Sequence, residues 1–230
     1  MNNDRLLKFY FSLIVLEFIS LFFGLHFLHI MTNVLTGPLI LFIYLRVIKL
    51  NYKWYFITIM IFLYATDVFH LIIKPDINNL FCIYLNTIAY SILTIFVFKT
   101  LEFKKLKDLD FIFYVSLIII FSLFLYIYWV INDILIDQKV NYYPVFFTYA
   151  LLMFIMSVLI TIKYIIKPNK CNTSLQIVVP CFIVSDVFYL MNIIYDEIHI
   201  FKYLFLLPQL LVYYFLLKFE LNRNKIFDII

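Results

Sequence analysis

The chain has 230 residues, of which 66% are hydrophobic, 21% aromatic and only 14% charged. A soluble domain of this length carries about half apolar and a quarter charged residues, so this composition excludes a water-soluble globule and calls for lipid around the outside of the fold. The net charge of +4 is modest, and no nucleic-acid partner is expected; 2 Gly and 6 Pro leave no room for long flexible linkers, so the chain reads as one membrane domain.

A spanning helix needs about 20 mostly apolar residues. Hydropathy predicts an all-α, polytopic membrane protein with about eight spans, at 9–28, 32–48, 54–73, 78–98, 111–131, 143–165, 174–195 and 201–219. The first follows Arg5 and Lys8. It is too long for a signal peptide and no small-x-small cleavage site follows it, so it reads as an uncleaved span. The first and second spans meet between His26 and Asn33, where no clear polar turn stands. Glu102 to Asp110 (EFKKLKDLD) is the most charged segment, a solvated loop that also suits anionic headgroups. It separates two halves, approximately 1–101 and 109–225.

Lys and Arg concentrate in cytoplasmic loops. With the N-terminus inside, 15 of the 18 Lys and Arg fall on the inner side; Lys74, Lys139 and Lys202 fall outside. Both termini are therefore expected in the cytoplasm, and the location in a bacterial inner or plasma membrane. The three cysteines, Cys82, Cys171 and Cys181, have no metal spacing and an odd count, and read as apolar fillers. His26, His29 and His70 lie toward the outer face without a metal-binding spacing. No metal or cofactor is expected.

The two halves resemble each other. Span three contains Thr66-Asp67-Val68-Phe69-His70-Leu71-Ile72, and span seven Ser185-Asp186-Val187-Phe188-Tyr189-Leu190-Met191. The next span in each half carries an amide and, four residues on, a tyrosine: Asn86 and Tyr90, then Gln209 and Tyr213. Pro38 and Pro144 mark spans two and six. Four spans return the chain to its starting side, so the halves would be parallel repeats.

An intramembrane carboxylate is costly and by default functional. Asp67 and Asp186 lie on the order of 18–20 Å from the inner boundary, and Asn86 and Gln209 fall at about the same depth. His70 shares a helix face with Asp67, and Tyr189 with Asp186. If the halves pack face to face, the two aspartates share a cavity. One would then stay protonated as a general acid while the other, ionised, activates water. Asp67 and Asp186 are thus the catalytic candidates, with His70, Asn86, Tyr90, Ser185, Tyr189, Gln209 and Glu17 as substrate-binding candidates. Glu17 in span one has no counterpart in the second half; it is assigned either to the same cavity or to a cation. Buried aspartates also serve as packing glue between helices.

These features resemble the YhhN family of lysoplasmalogenase-like membrane proteins. The resemblance rests on eight spans in this length, the span-two proline, the Asp of span three, and Phe182, Ser185, Asp186 and Gln209, which are similar to the family's F-x-x-S-D and following Gln. It implies hydrolysis of the vinyl-ether bond of lyso-ether phospholipids, with Asp67 and Asp186 as acid and base and membrane lipids as partners. Gly37 stands where the family has Lys, Thr66 where it has Gly, and Thr87 where it has His, which marks a divergent member. The alternatives are a non-enzymatic carrier or sensor of lipid-like molecules, or a membrane scaffold.

Overall fold

A computed structural model describes residues 3–48, 53–72, 81–102, 111–137, 143–195 and 200–223. Among them are eight α-helices: α1 (Asn3–Phe22), α2 (His26–Ile48), α3 (Trp54–Ile72), α4 (Phe81–Lys99), α5 (Phe111–Asp137), α6 (Tyr143–Ile166), α7 (Lys170–Ile194) and α8 (Ile200–Arg223). Seven are long and apolar enough to cross a membrane. The exception is α1, with Asp4, Arg5, Lys8 and Glu17 in 20 residues. It still packs along the bundle: Leu6, Tyr10, Leu13, Ile14, Glu17 and Ser20 form one buried stripe at helical spacing. The protein is a multi-pass helical membrane protein. Lys74, Lys139 and the charged run beyond Glu102 lie outside the described residues.

Neighbouring helices form the main pairs, α7 with α8 most extensively, then α1 with α2 and α3 with α4. The pairs join through α2 against α3 and α8, α4 against α6, and α6 against α7. α5 packs on α6 and otherwise presents apolar side chains outward, among them Phe111, Ile118 and Trp129. In lipid such exposure is the expected surface of a helix that is apolar all round.

The first helix boundary differs from the expected 26–33 region. α1 ends at Phe22 and the turn falls at residues 23–25. Leu25 N–H donates to Ser20 O at 2.7 Å and Gly24 N–H to Leu21 O at 3.2 Å, with Gly24 at φ 65°. This is a Schellman stop, in which glycine takes the left-handed position that closes the last turn. The signal was a glycine, not a run of polar residues.

The other glycine, Gly37, serves packing. Pro38 lacks an N–H, so the carbonyl four residues back, Val34 O, loses its helical donor. The Tyr64 hydroxyl of α3 supplies a replacement at 3.1 Å. Its ring lies across Gly37, where a Cβ would meet Tyr64 Cδ2 at 2.5 Å. Gly37, Pro38 and Tyr64 thus form one joint between α2 and α3, and the joint leaves no space for the lysine that the family resemblance would place at residue 37.

The two ends of the α6–α7 turn are closed by asparagines. Asn169 caps α7 by accepting from Asn172 N–H, and Asn172 Nδ2 donates to Lys167 O at 2.8 Å and Lys163 O at 3.3 Å, pairing end carbonyls of α6. At the same end of the bundle Glu220 is fully buried. It accepts from the Tyr55 hydroxyl and from Arg223 at 2.9 Å, while the guanidinium lies 5.2 Å from the Tyr55 ring centre and 5.1 Å from that of Phe96. The carboxylate is paired and hydrogen-bonded, as burial requires.

The α2–α3 joint sets a stability test. Tyr64→Phe removes one hydrogen bond and is expected to cost about 0.5–1.5 kcal/mol. Gly37→Ala forces the ring away and is expected to cost about 1–3 kcal/mol. Thermal unfolding in detergent should rank the two in that order; equal, negligible losses would show that the joint does not hold the helices.

Candidate functional site

One cavity of about 340 Å³ lies between α3, α4, α5, α6, α7 and α8. It is lined by Asp67 and His70 of α3, Asn86 and Tyr90 of α4, Ser185, Asp186 and Tyr189 of α7, and Gln209 of α8. All eight were candidates from spacing alone, and the fold brings them to one place. Glu17 does not join them. It sits between α1 and α2, fully buried, where the Thr32 hydroxyl donates to one carboxylate oxygen and His29 Nδ1 lies 2.7 Å from the other. Its neutral and imidazole partners come from the next helix in sequence, so its burial is settled locally and away from the cavity.

The two aspartates are held by different helices. Asp67 Oδ1 accepts from Gln209 Nε2, and Oδ2 accepts from the Tyr213 hydroxyl, both on α8. Asp186 Oδ2 accepts from the Tyr90 hydroxyl of α4 at 2.9 Å and from the Tyr149 hydroxyl of α6 at 2.5 Å. Each carboxylate therefore takes a phenol from the fourth helix of the other half. The amide and tyrosine spaced four apart on α4 and on α8 face the cavity together because that spacing is one helical turn.

The partners divide unequally. Asp67 has a donor on each oxygen and is buried at 5% exposure, whereas both donors to Asp186 converge on Oδ2. Oδ1 of Asp186 accepts no hydrogen bond from a described residue, and its side chain is less deeply buried than Asp67. Asn86 Oδ1 accepts from the Thr66 hydroxyl at 2.9 Å. His70 stacks on Tyr189, ring centres 4.3 Å apart at 26°, and its buried Nε2 has no hydrogen-bond partner among the described residues.

The cavity has two kinds of wall. The polar groups come chiefly from α3, α4, α7 and α8. The opposite wall, from α5 and α6, is largely apolar, with Phe124, Phe146, Ala150, Met153 and Phe154. A pocket with a few convergent polar groups on an apolar lining is the usual form of a small-molecule site. Among the described residues no three His, Cys, Asp or Glu side chains gather as a metal-ligand set.

Tyr149 and Tyr213 were not among the sequence-derived site residues. Tyr213 carried a usable signal, its place four residues after Gln209. Tyr149 carried none: it is one of 19 tyrosines, and no similarity between the halves marks it. No family model, curated protein or solved structure matches the chain.

The shared oxygen of Asp186 makes its two phenols interdependent. Tyr90→Phe or Tyr149→Phe alone leaves one donor and is expected to cost about 0.5–1.5 kcal/mol. The double variant leaves the carboxylate without a donor, and the loss should exceed the sum of the singles by roughly 0.5–3 kcal/mol. A double-mutant cycle by thermal unfolding reads this coupling; additivity would mean that the phenols pack without supporting the carboxylate.

Proposed function

We propose that the protein is a membrane-embedded hydrolase of the vinyl-ether bond of lyso-ether phospholipids, with Asp186 as general acid and Asp67 as general base. The observation that carries this reading is that the two carboxylates line one cavity while differing in how their oxygens are used. Asp186 has an oxygen free to hold a proton toward the cavity. Asp67 has a donor on each oxygen, which fixes the orientation of its carboxyl.

The chemistry follows. Asp186 donates its proton to the β-carbon of the vinyl ether, and the electron pair of the double bond forms the new C–H bond. The resulting oxocarbenium ion is attacked at its α-carbon by water, whose proton passes to Asp67. The hemiacetal then collapses: its hydroxyl proton passes through water to the glycerol oxygen as the C–O bond to glycerol breaks, and aldehyde and glycerophospho-headgroup leave. The proton gained by Asp67 returns to Asp186 through water or a hydroxyl. Positioned proton transfer of this kind is worth roughly 10²–10⁴-fold.

Aldehyde release from lysoplasmalogen by the protein in proteoliposomes tests the reading. Asp186→Asn is expected to lower the rate by roughly 10²-fold or more, with Asp67→Asn similarly impaired. No release above that of Asp186→Asn would refute the hydrolase reading.

A second reading, a non-enzymatic carrier or sensor of lipid-like molecules, is supported by the mainly apolar lining and by the full set of neutral donors around Asp67. The same assay separates them, because a carrier binds the lipid and returns it intact.

The chain is further proposed to cross the bilayer eight times, α1 included, with both termini cytoplasmic. The support is the Lys and Arg distribution, 15 of 18 on one side. Epitope tags at both ends should stay protected from protease in intact cells and become accessible on permeabilisation; exposure of either in intact cells would overturn the topology.

A further inference from the structure

The charge balance of the cavity points beyond the reaction to the kind of ligand it admits. Two carboxylates line it, and among the described residues none of the lining side chains is Lys or Arg. Among the described residues Asp67 and Asp186 are hydrogen-bonded by an amide and phenols, all neutral. Neutral donors lessen the cost of a buried carboxylate but supply no countercharge, and an ion taken out of water needs one.

The protein does supply countercharge elsewhere. Glu220 is paired with Arg223. The cavity is thus the place where buried acids stand without a described basic partner other than His70, whose ring stacks on Tyr189 and whose Nε2 is unpartnered.

Many of the other lining residues are aromatic. Tyr90, Tyr149, Tyr189, Tyr213, Phe182 and Phe205 surround the acids. Aromatic faces carry negative quadrupole charge and attract cations, above all organic ammonium ions that are weakly hydrated. A phosphate or carboxylate in this place would meet like charge and no basic partner. The walls therefore combine the two elements that recognise one ligand class, a carboxylate for charge and an aromatic enclosure for the alkyl substituents on nitrogen.

We infer that the cavity is a binding site for hydrophobic organic ammonium groups, with Asp67 as countercharge and the surrounding rings as cation–π contacts. This shares with the hydrolase reading only the premise that ligands enter this cavity. For a zwitterionic lipid it places the ammonium end, not the phosphate, among the acids; for a simple amphiphilic amine it makes the protein a binder in its own right.

Phenyltrimethylammonium, its neutral carbon isostere tert-butylbenzene and the anion phenylphosphonate form a matched probe set. Binding to the purified full chain in nanodiscs of zwitterionic lipid is measured by calorimetry and by the shift in unfolding temperature. The ammonium should bind on the order of tenfold or more tightly than the isostere, and the anion should bind least. Asp67→Asn should weaken the ammonium more than Asp186→Asn does, both leaving the isostere unchanged, and raising sodium chloride should not mimic the ammonium's stabilisation.

Equal binding of ammonium and isostere, or preference for the anion, overturns the inference. If either Asn variant fails to fold, the wild-type ranking of the three probes alone decides. The outcome is separable from catalysis: ammonium binding without aldehyde release leaves this inference standing and the hydrolase reading refuted, and aldehyde release with no ammonium preference does the reverse.

Discussion

A carboxylate placed in the hydrocarbon region costs about 2.5–3.5 kcal/mol on insertion scales, and this chain places both Asp67 and Asp186 within its helical bundle. Packing of Leu, Ile and Phe cannot offset such groups; only donors can. The helices that carry the donors are consequently tied to those that carry the acids. α8 is held to α3 through Gln209, Tyr213 and Asp67, and α4 and α6 are held to α7 through Tyr90, Tyr149 and Asp186. The four-residue spacing of amide and tyrosine on α4 and α8 follows from the same requirement, since donors one turn apart reach the same depth.

The remaining polar groups in the bundle obey the rule in simpler ways. Val34 O, stripped of its helical donor by Pro38, receives the Tyr64 hydroxyl. Glu220 receives Tyr55 and Arg223, and Glu17 receives Thr32, with His29 Nδ1 2.7 Å from its other oxygen. In each case at least one partner comes from another helix, so satisfying these groups also fixes a helix contact. Without water in the surroundings, this is how polar groups add specificity to a core in which most contacts are interchangeable.

Much of this was legible in the amino-acid order. Long apolar stretches marked eight helices, because the length needed to cross lipid leaves a pattern that no soluble core imitates. Asp67, His70, Asn86, Tyr90, Ser185, Asp186, Tyr189 and Gln209 were legible as a group because polar residues are rare in such helices and so stand out. What was not legible has physical causes. The α1–α2 turn uses a glycine and backbone hydrogen bonds, and hydropathy does not register either. Glu17 stood out for the same reason as the aspartates, yet its partners, His29 and Thr32, lie on the adjoining helix; cost alone does not say where a charge is satisfied. Tyr149 and the α5–α6 wall were hidden because aromatic residues are as common on lipid-facing surfaces here as in the cavity.

The similarity between halves also concealed the feature that bears most on chemistry. It sets Asp67 beside Asp186, Asn86 beside Gln209 and Tyr90 beside Tyr213, and so suggests two equivalent acids. Their surroundings are unequal. Gln209 bonds Asp67, whereas its counterpart Asn86 accepts from Thr66 and leaves Asp186 to the phenols. Aligning Pro144 with Pro38 puts Ile43 opposite Tyr149, so the second phenol on Asp186 belongs to one half only. Two acids in identical surroundings would have the same proton affinity except for their mutual repulsion. Unequal donors make the two carboxyls distinguishable, which is the condition for an acid and a base in a site built of two aspartates.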